Sequence, residues 1–349
     1  MTWKNYDLLE TPKSISDSDN MGLQTEQGWY APEVDRKVLK SLMKRNNAFA
    51  LMNYGIWLLL LIITALVVIS TWGSMSGMLW LIVYSVIHQS ATARQHELSH
   101  GTPFKTRLLN EVIFHICSFI TLSEGNFYRW RHARHHTHTI IVGNDPEIQS
   151  PRPPNFLSLF INIFNIKTVI VTLKEFTRRS FGRLDSATIF IPPSEHNKVI
   201  WSARLYLFLI LIIVGLSLAL QSWLPILLTF GPRILGAPLY AFLHFTQHAG
   251  LNEDVMDHRL NTRTIYMNPI LQFLYANMNY HVEHHLFPLV PFYNLPKLHE
   301  LIKDQCPKPK QGLLGAYREI IPTLMKQRND PNFYIQPELP SALQIGITP

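Results

Sequence analysis

Charge is scarce in this chain. Asp, Glu, Lys and Arg make up 16% of its 349 residues, against about 25% in soluble domains. The shortage is local. No charged residue stands between Arg45 and Arg94, and after Arg204 only Arg233 interrupts the run to Glu253. With 47% hydrophobic residues, these runs exclude an ordinary soluble domain and imply an integral membrane protein with a substantial watery part. Cysteine is nearly missing. Cys117 and Cys306 are the only two, which excludes a disulfide framework and argues against cysteine-based metal sites. Residues 1–28 lack the apolar core of a secretory signal peptide. The net charge is +7. Beside such apolar runs, it reads as Lys and Arg retained on the cytoplasmic side of a bilayer, not as a nucleic-acid surface.

Each uncharged run has room for two helical crossings of about 20 residues. The breaks fall at Thr71-Trp72-Gly73-Ser74-Met75-Ser76-Gly77 and near Gln221-Ser222-Trp223-Leu224-Pro225. The expected fold is therefore all-α, with four transmembrane helices in two hairpins. Both turns are uncharged, so the N-terminal segment, the 94–204 region and the C-terminal region are assigned to the cytoplasmic side. The domain reading is a tail with an interfacial helix over 1–45, a membrane domain over 46–300 and a C-terminal segment over 301–349. The tail to about Tyr30 is expected to be mobile or to hug the surface. Ala31-Pro32-Glu33 reads as a helix start, leading into a basic amphipathic stretch to Arg45 at the membrane surface. Leu108–Ile120 and Phe156–Leu173 are too short or interrupted to cross and read as interfacial or capping helices. Arg233 is expected at the far interface, beside Gly231 and Pro232.

Histidine, by contrast, is abundant at sixteen, and it clusters. His96 and His100 stand four apart in His96-Glu97-Leu98-Ser99-His100. His132, His135 and His136 form an H-x-x-H-H box, repeated by His281, His284 and His285, and His244 and His248 form a further pair. On a helix, residues four apart share a face, so two such imidazoles grip one ion. The middle histidine of H-x-x-H-H points at another angle, so one box can serve two ions. Neutral imidazole suits Fe, Zn, Cu and Ni. Ten histidines are too many for one ion and suit two, with about five each. The first box also matches H-E-x-x-H, the zinc-protease helix with Glu as general base. That rival leaves both H-x-x-H-H boxes unused. A metal carrier would instead spread its ligands along a pore. His88, His115, His138, His196, His258 and His299 read as ordinary packing or surface residues. Asp145 and Glu147, and Glu97 and Glu283 inside the boxes, are candidates to orient imidazoles.

The three boxes with their hydrophobic hairpins resemble the membrane fatty acid desaturase/hydroxylase superfamily over roughly residues 45–300. The phrases Gln95–Thr102, Gln247–Leu251 and Asn279–Pro288 strengthen the likeness. The resemblance implies a cytoplasmic helical cap holding a di-iron site, with His96, His100, His132, His135, His136, His281, His284 and His285 as ligands and His248 as an additional one. Where acyl-CoA desaturases of this superfamily use an asparagine that reaches the metal through water, this chain has His244, which suggests a tenth ligand. The first box has three intervening residues instead of four, which sets the chain apart from the acyl-CoA desaturases of animals. The resemblance further implies two ferrous ions, dioxygen, and electrons from NAD(P)H through a separate donor, a cytochrome b5 or a ferredoxin with its reductase. The expected activity is desaturation or hydroxylation of an unactivated C–H position in a fatty-acyl or lipid-like substrate. Oxidation of a small specialised metabolite is the alternative. The expected location is a multi-pass membrane protein of the endoplasmic reticulum or the bacterial inner membrane, with its active site cytoplasmic.

Overall fold

A computed structural model describes residues 4–9, 28–184 and 188–340. The first helix, α1 (Arg36–Leu42), starts later than Ala31-Pro32-Glu33 suggests. Asp35 is its N-cap, accepting from the backbone N–H of Lys37 and Val38, which satisfies two donors the helix itself leaves open. Asn46 caps α2 (Asn47–Thr71) in the same way. The buried residues of α2 include Ala50, Tyr54, Trp57, Thr64 and Val68. They recur at intervals of three, four or seven positions and form one seam. That seam packs on α3 (Met75–Gln89), where Trp57 Nε1 donates to the Ile87 carbonyl at 2.9 Å. The other faces of α2 leave Leu58, Leu59, Ile62, Ile63 and Leu66 exposed, a surface suited to lipid and not to water.

Three helical stretches are long and apolar enough to cross a membrane among the described residues: Asn47–Thr71, Pro193–Ala219 and Leu224–Phe245. A fourth arises if the pair α7 (Phe156–Ile163) and α8 (Ile166–Ser180), bent by 74°, counts as one span. The expected second crossing, α3, has only 15 residues before Ser90 separates it from α4 (Ala91–Ser99). It falls short of the usual spanning length, although α2, α3 and the turn between them lie where the hydropathy puts them. α5 (Arg107–Ile120) and α6 (Gly125–Thr137) follow. The bend between α7 and α8 sits at Asn165, which has a left-handed φ of 55°.

α9 (His196–Ala219) begins before its charge-free run. Arg204 therefore lies within the helix, where its Nε donates to the Ser180 carbonyl at 2.8 Å and its guanidinium lies over Trp201. The last span is broken into α10 (Leu224–Thr229), α11 (Pro232–Leu235) and α12 (Ala237–Phe245). The break at Gly236 has a cause. A Cβ there would run into the Ser85 carbonyl of α3, so only glycine permits this close approach. The same approach overturns the expectation for Arg233. Its Nη1 lies 3.2 Å from Gln89 Oε1 at the C-terminal end of α3, not beside the uncharged turns.

The remaining helices are α13 (His258–Asn261), α14 (Pro269–Leu274), α15 (His281–Leu286), α16 (Leu295–Ile302) and α17 (Gly312–Gln327). One parallel pairing of two residues each, β1 (Ile265–Tyr266) with β2 (Lys310–Gln311), is the small exception to an all-α fold among the described residues. The largest buried apolar cluster joins α2, α4 and α5 to α15 and α16 through Tyr54, Leu98, Phe114, Val282 and Leu295. This cluster joins the long apolar helix α2 to the short helices that carry two of the boxes. Residues 10–27 of the tail lie outside the described residues, but both flanks are docked. Lys4 pairs with Glu253 at 2.9 Å, Tyr6 Oη donates to Glu253 at 2.8 Å, and Tyr30 N donates to the Met256 carbonyl at 3.1 Å.

Candidate metal centre

Three short helices carry the boxes. α4 holds His96 and ends at His100; α6 holds His132, His135 and His136; α15 holds His281, His284 and His285. Helix α6 is set by Glu124, whose carboxylate accepts from the N–H of Asn126 and Phe127 at 2.9 and 2.7 Å. The N-terminus of the helix is thereby fixed two turns ahead of its first histidine.

Nine of the ten candidates gather in two groups. His96, His100, His132, His136 and His284 form one, and His135, His248, His281 and His285 form the other. Within each group the ligand nitrogens lie within 4.8 Å of one another. The partition follows helical angle. In α6 the outer pair, His132 and His136, goes to the first group and the middle residue to the second. In α15 the outer pair, His281 and His285, goes to the second group and the middle residue to the first. The two groups touch, with the His136 and His285 rings stacked at 4.2 Å. His244 joins neither group. Its Nδ1 lies 2.8 Å from Gln149 Nε2, and it lines, with His248, Glu147 and Phe245, a cavity of about 20 Å³ beside the second group.

The facing atoms are Nε2 throughout. His96 and His284 approach at 2.7 Å, His132 lies 3.1 Å from both His100 and His136, and His281 lies 3.2 Å from both His248 and His285. Whether these are hydrogen bonds is decided on the other side of each ring. His135 Nδ1 faces the Asp145 carboxylate at 2.9 Å and His248 Nδ1 faces the Asn261 carbonyl at 2.8 Å. Both acceptors require the proton on Nδ1. The Thr139 hydroxyl donates to the His135 carbonyl at 2.8 Å, so its lone pair takes the Nδ1–H of His285 at 3.2 Å. Gln247 lies 3.2 Å from His281 Nδ1, and its Oε1 is otherwise without a partner among the described residues. Turned over, that amide accepts from His281 as well. All four Nε2 atoms of the second group are then bare lone pairs pointing at one place. Bare lone pairs at such distances repel one another, and a cation between them removes the repulsion. The donor set therefore fits a metal ion of the kind that takes imidazole.

Electrostatics favour neutral rings. Burial, then neighbouring imidazoles, hold His96, His136, His281 and His285 well below the ordinary histidine range. His135 is the exception. Burial is the largest influence and opposes its charge, but the charge and hydrogen bond of Asp145 together with Glu147 raise it. Glu147 Oε2 lies 3.4 Å from His132 Nδ1. Burial would raise this carboxylate, yet Arg131 and His132 hold it well below the ordinary range. Asp145 and Glu147 thus orient one ligand in each group, and Asp145 also shapes its own loop by accepting from Ile140 N at 2.7 Å. Glu97 and Glu283 do otherwise. Glu97 Oε1 accepts from Thr102 Oγ1 at 2.5 Å and from Phe292 N at 3.0 Å, and burial raises its pKa to about 7. Glu97 is engaged by Thr102 and Phe292 and belongs to neither histidine group, and this geometry removes the support for the H-E-x-x-H reading. Glu283 lies between Thr264 Oγ1 at 2.6 Å and His299 Nδ1 at 2.5 Å.

Sequence reasoning passed over Thr139, Gln247 and Asn261, whose roles carry no spacing signal. It also read His258 as packing. His258 is buried, and its ring lies 5.0 Å from that of His285. His138 belongs to neither group and caps the C-terminus of α6.

Residues 70–314 match the family model for fatty acid desaturases. The chain is 22% identical to the mouse (Mus musculus) fatty acid desaturase 2-like protein FADS2B, over 77% of this chain and 60% of that protein. It is 22% identical to Delta(8)-fatty-acid desaturase 2 of Arabidopsis thaliana, over 88% of this chain and 74% of that protein. It is 23% identical to Delta(5) fatty acid desaturase fat-4 of Caenorhabditis elegans, over 60% of this chain and 53% of that protein. The chain thus spans between about half and three quarters of the length of these relatives. A family match over most of the chain, apolar helices and the two histidine groups agree: this membrane protein belongs to the fatty acid desaturase family, a family of iron-dependent oxidoreductases.

Proposed function

We propose that this protein is a dioxygen-dependent desaturase of a fatty-acyl or lipid-like chain, with two iron ions held by the nine grouped histidines. The convergence of Nε2 atoms in two adjoining groups carries this reading. Iron bound there would supply the activation of dioxygen that breaks an unactivated C–H bond. The balance of the reaction is fixed. The substrate loses two hydrogens, two further electrons and two protons come from outside, and one dioxygen becomes two waters. The protein's own residues hold and orient. Asp145, Asn261, Thr139 and Gln247 set the rings of His135, His248, His285 and His281. Buried Leu98, Leu243 and Val282 keep the surroundings apolar and free of bulk water.

In this reading α2, α3, α9 and the broken α10–α12 segment are four crossings, and α7–α8 lies along the interface. The metal groups face the cytoplasm. The electrons come from a separate carrier, a cytochrome b5 or ferredoxin with its reductase. Residues 46–300 make the catalytic unit, flanked by the 1–45 and 301–349 segments.

The test has two arms. Purified protein should hold about two irons per chain. Lipid profiles of a host expressing it should gain species lacking two hydrogens. Zinc in place of iron, or products that gain one oxygen without losing hydrogens, would overturn the desaturase assignment.

A further inference from the structure

The proposed reaction needs two electrons per turnover from a separate protein, yet most of the grouped histidines are buried, with His100, His136 and His248 only partly exposed. His281 is 1% exposed and His285 3%. A carrier protein does not touch these two rings directly, so electrons to them cross the surrounding protein. Ring contacts to the groups from outside are few. Tyr128 stacks on His132 at 5.5 Å, but it is itself only 7% exposed and ends short of the surface. The other contact reaches further. Trp29 stacks on His258 with ring centroids 4.2 Å apart and planes within 8°, and His258 lies 5.0 Å from His285. Trp29 is only half-buried. His258 belongs to neither metal group, and its Nδ1 has no partner among the described residues. Its one side-chain hydrogen bond is with Asn261, which leaves the stacked face of the ring to Trp29.

The segment carrying Trp29 is held firmly. Tyr30 N donates to the Met256 carbonyl at 3.1 Å. The Arg259 guanidinium covers the Tyr30 ring at 3.2 Å while pairing with Asp257 at 2.7 Å. Glu33 N donates to Gln305 at 2.8 Å. Directly after it comes α1, whose surroundings expose Arg36, Lys37, Lys40, Lys44 and Arg45 against only Glu33 and Asp35. A basic surface beside a fixed, partly exposed tryptophan suits an acidic partner.

We propose that Trp29 and His258 are the electron-entry relay. An acidic one-electron carrier docks on Trp29 and the basic face of α1. It gives up one electron at a time, two per turnover, through the stacked Trp29 and His258 rings to His285 of the four-histidine group. The carrier is oxidised and the metal site reduced, and neither relay residue is changed at the end. Trp29 and His258 are positioning residues here. The inference rests on the di-iron reading above.

The test uses the full-length, iron-loaded protein and reduced cytochrome b5, an acidic haem protein, as probe. Haem oxidation is followed by stopped-flow absorbance, and reduction by dithionite, which needs no docking, serves as the control. Trp29→Leu should slow haem oxidation by about an order of magnitude or more, with iron content and the dithionite rate unchanged, and Trp29→Phe should keep most of the rate. The pair Lys37→Glu and Lys40→Glu should raise the cytochrome concentration needed for half-maximal rate several-fold, an effect that fades at high salt. If Trp29→Leu leaves haem oxidation within about twofold of wild type, the relay is wrong while the metal reading stands. If Trp29→Leu loses iron, or slows the dithionite rate equally, Trp29 is a packing residue and the relay is again overturned. If the wild-type protein holds no iron, the metal reading fails first and the relay with it.

Discussion

The five-histidine and four-histidine groups lie ring to ring, yet they are held by different means. In the four-histidine group every Nδ1 has a polar partner: Asp145, the Asn261 carbonyl, Thr139 or Gln247. In the five-histidine group His132 leans on Glu147, at a longer 3.4 Å. His136 Nδ1 and His284 Nδ1 are buried without partners among the described residues. One group is positioned by its scaffold, and the other relies on the number of its ligands. The lesson concerns robustness. A site fixed by outer hydrogen bonds should suffer when those bonds are changed, and a site with a spare ligand should suffer less.

The largest effects come from removing one ligand of each group. His284→Ala in the first and His135→Ala in the second should each abolish turnover, because both ions are needed. The protein should still insert in the membrane, since neither ring belongs to the apolar helices. Iron should fall from about two per chain to about one or less. Full activity in both variants would remove the two-group assignment altogether. Next come the outer carboxylates. Asp145→Asn should weaken metal binding at the four-histidine group by about 10–100-fold. Asp145 also accepts from Ile140 N at 2.7 Å and Glu147 N at 2.8 Å, so its loop loosens too. Glu147→Gln, opposite the longer contact, should cost less. Competitive chelator titration followed by iron analysis ranks the two, and an inverted ranking would break the comparison.

Acid should separate the groups more gently. Most of the grouped rings have folded pKa values depressed by burial and by one another, so the metal-free folded state binds fewer protons than the unfolded chain. Their contribution is complete above the unfolded value of about 6.5 and is lost as pH falls below it. His135 runs the other way. Burial works against it, but Asp145 raises it, so its contribution is present below the unfolded value and fades as pH rises. Thermal unfolding of metal-stripped protein should therefore show a lower midpoint at about pH 5.5 than at about pH 7.5. Asp145→Asn should steepen that fall, because it removes the one opposing contribution. A flat profile would mean that the grouped imidazoles are not held neutral.

Much of this arrangement was legible in the residues alone. The H-x-x-H-H spacing implied that outer and middle histidines part, and α6 and α15 do part them, in opposite senses. The turns at 71–77 and 221–225 followed from missing charge. What stayed hidden depends on contacts that no periodicity records. The shortness of α3 comes from the break at Ser90, within a run that is free of charge but turns polar at His88-Gln89-Ser90. Arg233 reaches Gln89 only because Gly236 lets the broken span press on α3. Asn261, Thr139 and Gln247 orient ligands through loop geometry, so ordinary polar residues gained roles that composition does not mark. His258 lies outside every box, and only the stacked Trp29 sets it apart.

The smallest expected effect tests how many nitrogens the four-histidine group has. Its count falls one short of five unless His244 joins. His244 sits four residues before His248, the spacing that lets helical histidines share an ion. Yet α12 ends at Phe245, between the two. His248 therefore lies in a turn and swings to the Asn261 carbonyl, while His244 stays on the helix and meets Gln149 at 2.8 Å. The chain end of α12 separates what the spacing joins. His244→Ala should therefore leave iron content unchanged and alter turnover only by a few-fold, through the small cavity it shares with His248. Gln149→Ala should match it, because the two side chains act as one contact. A loss of iron in His244→Ala as deep as in His135→Ala would make it the tenth ligand, and the two groups would then be equal in number and different only in how they are held.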